Sequence, residues 1–123
     1  MLKQMTLAAG LALAFLPAFA ADLPPGTYTA DGVKPTMTLD EKGQFRVEEG
    51  GKMLVTGKYA TKGGQIQFTD KNGPWACTKD AEKTGTYQWK YQNSVLTFSK
   101  VTDGCTDRVT SLAGVQWKLQ QKS

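Results

Sequence analysis

Gly85-Thr86-Tyr87-Gln88-Trp89-Lys90-Tyr91-Gln92-Asn93-Ser94-Val95-Leu96-Thr97-Phe98 decides the fold. Tyr87, Trp89 and Tyr91 alternate with polar residues, so in an extended chain all three rings fall on one face. Leu96 and Phe98 repeat the pattern, and the break from Gln92 to Ser94 is too short for anything but a hairpin turn. A helix would scatter these rings around its axis; a pair of antiparallel strands with one wet face uses every one of them.

The same reading extends in both directions. Met37 and Leu39 alternate with Thr36, Thr38 and Asp40, and Phe45 and Val47 with Gln44, Arg46 and Glu48. Met53, Val55, Gly57 and Tyr59 share one parity, Ile66 and Phe68 are flanked by Gln65, Gln67 and Thr69, and Val115, Trp117 and Leu119 alternate at the end. Turn signals separate these runs at Asp40 to Gly43, at Gly50 and Gly51, at Lys62 to Gly64 and at Lys71 to Pro74. With Gly26 to Ala30 as the first strand, the chain is predicted to be all-β, an antiparallel up-and-down meander of about eight strands. Closure into a barrel is expected over an open sandwich, because it pairs the edge strands that such a meander leaves exposed. Gly26-Thr27-Tyr28, Gly57-Lys58-Tyr59 and Gly85-Thr86-Tyr87 form an internal echo, each expected to open a strand.

Residues 1–20 read differently. Lys3 precedes an apolar run from Leu7 to Phe15, and Ala18-Phe19-Ala20 fits a signal-peptidase site, so residues 1–20 are expected to be a cleaved signal peptide and 21–123 a single barrel domain. The run is too short for a transmembrane anchor, and no second one follows. Cleavage removes Lys3 and no acidic residue, lowering the formal net charge from +4 to +3. The destination is therefore periplasmic or extracellular, where the chain's two cysteines, Cys77 and Cys105, are expected to pair. That bridge would tie Gly73-Pro74-Trp75-Ala76-Cys77 to the long connection from Val101 to Val115. A short helix or coil from Thr106 to Leu112 is expected there as a plug before the last strand.

Composition excludes several functions. The chain contains no histidine, which removes the usual general base, the usual partner of a serine or cysteine nucleophile and the commonest zinc ligand. Asp103 with Asp107, and Glu48 with Glu49, are the acid pairs that remain. The second pair points to opposite faces of its strand, and the first flanks a cysteine in the plug. Asp70-Lys71-Asn72-Gly73 has the start of a calcium loop without its later glutamate and reads as a turn. No enzyme, cofactor or metal is expected. Lysines are spread singly among acids and the chain has two arginines, which solvates a surface but builds no nucleic-acid groove.

Gly26, Tyr28 and Arg108, with the exported meander, resemble the lipocalin-like, or calycin, barrels. In that family a glycine and a tryptophan on the first strand meet an arginine near the last strand at the base of a cup for a small apolar ligand. Here Tyr28 stands where the tryptophan would be, and Arg108 is the candidate partner. The stretch from Gly85 through Cys105 and Arg108 to Trp117 also looks like a recurring module of small secreted bacterial proteins, which carries compartment and fold but no reaction. The resemblance implies a monomeric binding protein whose cup holds an apolar or amphipathic ligand. Tyr59, Phe68, Trp75, Tyr87, Trp89, Tyr91 and Arg108 are the candidate ligand-binding residues. Arg108 has two readings, a clamp for a ligand carboxylate or phosphate, or a structural group donating to carbonyls and stacking on Trp117 or Tyr28. An interaction module, such as an inhibitor of an envelope or extracellular hydrolase, is the alternative, with Trp75 on a stiff loop as its anchor.

Overall fold

The computed structural model describes residues 23–120; the expected signal peptide lies outside them. The strands run in chain order: β1 Gly26–Ala30, β2 Val33–Leu39, β3 Gln44–Glu49, β4 Lys52–Lys62, β5 Gln65–Asn72, β6 Thr84–Gln92, β7 Val95–Thr102 and β8 Trp117–Leu119, with one helix, α1 Thr106–Leu112, before the last. Each strand pairs antiparallel with the next, and β8 returns to β1 through Tyr28↔Leu119 and Thr29↔Lys118, closing the barrel. No strand of the eight is left with an unpaired edge, the hazard a long meander carries when open. Among the described residues no helix is long and apolar enough to cross a membrane.

Alternation turns sequence into core in a direct way. Tyr28, Met37, Leu39, Phe45, Ile66, Phe68, Tyr87, Leu96 and Phe98 all point inward and are buried, while their neighbours along each strand face water. Phe68 is the hub of the aromatic centre. Its ring packs edge-on against Phe45 at 5.3 Å, Phe98 at 5.6 Å and Tyr87 at 6.2 Å, the geometry that sets the positive edge of one ring against the face of another. These rings fill the middle of the barrel, so open space is left only toward its ends.

The two ends differ. One is formed by the β2–β3, β4–β5 and β6–β7 turns. Here the Tyr28 hydroxyl donates to the Pro24 carbonyl at 2.6 Å and the Tyr59 hydroxyl to the Asp40 carbonyl at 2.5 Å, capping the core with satisfied phenols. The opposite end carries the long β5–β6 connection and the β7–β8 connection with α1. There Cys77 and Cys105 form the expected disulfide, with Cα atoms 6.2 Å apart, and α1 begins directly after Cys105.

β4 departs from the simple pattern in two places. Register slips where Val47 pairs with Val55 but Glu48 with Met53, leaving Leu54 in a bulge. Leu54 is therefore buried and Met53 exposed, the reverse of strict alternation. Gly57 lies inside β4 and opens no strand, so the internal echo holds for Gly26 and Gly85 only. A side chain at Gly57 would strike the Phe45 ring and the Thr69 carbonyl, so the close crossing of β3, β4 and β5 requires glycine there.

Candidate functional site

The helix end of the barrel holds a cavity of about 200 Å³ between α1 and the inward faces of β2, β3 and β4. Its wall is mostly apolar: Met37, Phe45, Val47 and Val55 come from the strands, Leu112 from α1 and Trp117 from β8. Trp75 also lines it and is 49 % exposed, which places its indole at the rim. The Trp75 loop is held in position by its backbone. Trp75 N–H donates to the Leu54 carbonyl at 2.9 Å, and Gly73, at φ +119°, lets the chain pass against the backbone of Leu54 and Val55.

Arg108 projects from α1 into the same end and is nearly enclosed, with 7 % of its side chain exposed. Its fork clasps the Glu82 carbonyl, Nη1 at 3.1 Å and Nη2 at 2.6 Å. Nη1 also lies 3.4 Å from Asp103 Oδ1, and Nη2 lies 3.8 Å from Asp70 Oδ2. Both carboxylates are buried and tied elsewhere. Asp103 accepts the Cys105 N–H at 2.9 Å and the Tyr87 hydroxyl; Asp70 accepts the Cys77 N–H at 2.9 Å. A single polar network thus joins the disulfide, the helix, the β5–β6 connection and the aromatic core. Gly85 makes room for it, since a Cβ there would collide with the Asp103 carboxylate.

Two carboxylates share one guanidinium, a formal excess of one negative charge in a buried place. Burial pushes the Asp70 carboxyl above its ordinary range, and nearby Asp103 adds to the shift; the Cys77 N–H and Arg108 oppose it without cancelling it. Burial likewise holds the Tyr87 phenol neutral far into alkali, helped by its hydrogen bond to Asp103. Arg108 Nε has no hydrogen-bond partner among the described residues, and neither does the indole N–H of Trp117.

The seven candidate ligand residues are divided among three places. Phe68, Trp75 and Arg108 line the cavity. Tyr87 is fully buried in the core beside it, in contact with both Phe68 and Asp103. Tyr59, Trp89 and Tyr91 face inward on β4 and β6 without lining the cavity, and Tyr59 belongs to the opposite end through its bond to Asp40. The three alternating rings of β6 therefore descend through the barrel and do not form one ligand wall.

The base closure implied by the calycin resemblance is not formed. Gly26 pairs with Leu39 at the turn end, and Tyr28 reaches Pro24 there, whereas Arg108 sits at the helix end. Its partners are two carboxylates and a carbonyl, with neither Tyr28 nor Trp117 hydrogen-bonded to it. Asp70, expected in a turn, instead closes the inward series Ile66, Phe68, Asp70 of β5, and that parity is its signal. Asp70 lies close to Cys77 and Cys105, but both sulfurs are committed to the disulfide and offer no thiolate to a metal. Asp103 and Asp107 have different surroundings: Asp103 is locked in the network, while Asp107 is exposed on the first turn of α1. Compared with protein-family models, with curated proteins and with solved structures, the chain matches none.

Proposed function

We propose that the chain is an exported, lipocalin-like binding protein that holds a small apolar or amphipathic molecule beneath α1. The observation that supports this reading is the apolar cavity of about 200 Å³ in a core that is otherwise densely filled with rings. Well-packed domains keep few voids larger than a water molecule, and dry apolar cavities of about 150 Å³ take up benzene. A space of this size suits a single ring or a short branched chain. Long acyl chains and polyenes would have to extend past Trp75 into solvent.

Titration of the oxidised protein with cumene, followed by tryptophan emission, tests the reading. Trp75 and Trp117 both border the cavity, so saturable quenching or a spectral shift is expected. Val47→Phe places a ring in the cavity and should abolish the response with little change in melting. No saturable response in the native protein overturns the proposal.

Trp75 favours a second reading, an inhibitor of an envelope or extracellular hydrolase, because a half-exposed indole on a loop braced by Gly73 and the disulfide is a rigid anchor. A panel of such hydrolases assayed with the protein tests it. Inhibition that falls in Trp75→Ala while melting holds supports this reading, and absence of inhibition across the panel removes it.

A further inference from the structure

Three cations distant from one another in the chain, Arg46, Lys58 and Lys71, line one groove of about 260 Å³ on the outer face of β2 to β5. The groove shares only Phe45 with the cavity beneath α1. Strand register brings the three together. Arg46 pairs with Thr56 and Gln44 with Lys58, so Arg46 and Lys58 are diagonal neighbours across β3 and β4, a separation that long side chains span. Lys71 arrives by a bulge: Gly57 pairs with Asp70 but Thr56 with Asn72, which leaves Lys71 as the extra residue of β5. Asp70 stays buried, whereas Lys71 and Asn72 are both exposed, and Gly57 lines the groove without a side chain to fill it.

The charges of the groove are unbalanced. Among the described residues neither Lys58 nor Lys71 forms an ion pair. Arg46 meets Glu48 through Nε at 2.6 Å, but the pair is solvent-exposed, contributes little, and Glu48 does not line the groove. Asp40 is the one acidic residue of the lining, and its Oδ1 already accepts the backbone N–H groups of Lys42 and Gln44, each at 2.8 Å. Three cations and one carboxylate leave a formal excess of two positive charges, which a dianion balances. A phosphate monoester carries about −1.5 to −2 near neutral pH and offers three strong acceptor oxygens to an arginine fork and two ammonium groups. The Gln44 and Asn72 amides and the Thr56 hydroxyl, also in the lining, suit a hydroxylated body. The volume is just under the roughly 300 to 1,000 Å³ of small-molecule sites, which leaves room for one sugar-sized unit beyond the anion. We propose that this groove binds a phosphate monoester on a small hydroxylated body, with Arg46, Lys58 and Lys71 as the partners of the phosphate.

Titration of the ¹⁵N-labelled, oxidised protein with glucose 6-phosphate, glucose 6-sulfate and glucose at constant ionic strength tests this, with backbone amides as reporters. Saturable shifts are expected at Arg46, Lys58 and Lys71, with Leu112 and Trp117 of the cavity unmoved, so the groove is judged separately from the cavity. The phosphate should bind roughly threefold or more tightly than the less charged sulfate, and glucose should give no saturable shift. Lys58→Gln and Lys71→Gln should each weaken phosphate binding by roughly three- to tenfold with no fall in melting temperature. Lys90→Gln removes the same charge from an exposed position outside the groove and should change the affinity by less than about twofold. Vesicles of phosphatidylcholine containing phosphatidic acid present the same monoester at a membrane surface. Co-sedimentation that Lys58→Gln abolishes identifies a lipid headgroup, and glucose 6-phosphate binding without co-sedimentation identifies a free sugar ester; either supports the proposal. Binding of neither probe, sulfate matching phosphate, or Lys90→Gln weakening binding as much as Lys58→Gln overturns it.

Discussion

Arg108→Ala is expected to be among the most damaging single substitutions in the chain. The side chain is 7 % exposed and its fork serves the Glu82 carbonyl, Asp103 and Asp70 together. At an effective dielectric near 20, a unit pair about 4 Å apart attracts by roughly 4 kcal/mol, and here two carboxylates share one cation. The truncated protein no longer bears the cost of desolvating the guanidinium, which offsets part of that loss. What remains is the roughly 3 to 5 kcal/mol found when one partner of a buried pair is removed, against a domain stability of about 5 to 15 kcal/mol. Without the cation the Asp70 carboxyl, already raised by burial, rises further. Proton uptake then becomes the route by which the variant relieves its buried charge. Urea unfolding of the oxidised protein, read by circular dichroism, should therefore show the full deficit at pH 7 and a smaller one as the pH is lowered through the range in which Asp70 protonates. Arg108→Lys should recover part of the loss, since a point charge replaces a fork. A deficit below about 1 kcal/mol at pH 7, or one indifferent to pH, would refute this view of Arg108 as the centre of a buried network.

Cys105→Ser should cost about 3 to 4 kcal/mol by loop closure over a separation of 28 residues, and thiol titration of the denatured, unreduced native protein should find no free cysteine. Because the Asp70 carboxyl is raised in the fold, its contribution is complete below the ordinary carboxylate range and is lost as pH rises through the folded value. Wild type should accordingly gain stability relative to Asp70→Asn as pH falls from 7 toward 4, and the opposite slope in that comparison contradicts the assignment. Gly85→Ala should destabilise by about 1 to 3 kcal/mol, since the Asp103 carboxylate that a Cβ would strike is fixed by the Cys105 N–H, Tyr87 and Arg108 and has nowhere to go; an unchanged urea midpoint would show that it can.

Sequence was most informative where structure is local. Period-two alternation placed Tyr28, Met37, Leu39, Phe45, Ile66, Phe68, Tyr87, Leu96 and Phe98 on inward faces, short polar breaks gave hairpins, and two cysteines beyond an export-like segment gave the bridge. Parity says which side of a sheet a residue takes, not which end of a barrel it reaches. Tyr87, Trp89 and Tyr91 share a face as expected, yet they descend along β6 and are spread over the depth of the barrel. Alternation also has no memory of a bulge. The slip at Val47 and Glu48 exchanges the roles of Met53 and Leu54, and nothing in the residues around it announces the event.

The candidate site was harder to read because two of the partners of Arg108 are distant in sequence. Asp103 lies five residues away, but the Glu82 carbonyl and the Asp70 carboxylate on β5 reach Arg108 only through the tertiary fold. Asp70 carried a usable clue, a charged residue at an inward parity in a strand whose other inward residues are apolar. Such a residue requires a buried counter-charge, and Arg108 was already the chain's most conspicuous cation near a cysteine.

The most direct test of ligand binding beneath α1 is a methyl-labelled nuclear magnetic resonance titration of the native, oxidised protein with cumene. Saturable shifts are expected at the methyl groups of Val47, Val55 and Leu112, which line the cavity, with little change at Leu39 and Ile66 in the packed core. Shifts spread evenly over all five residues, or none that saturate, would contradict it.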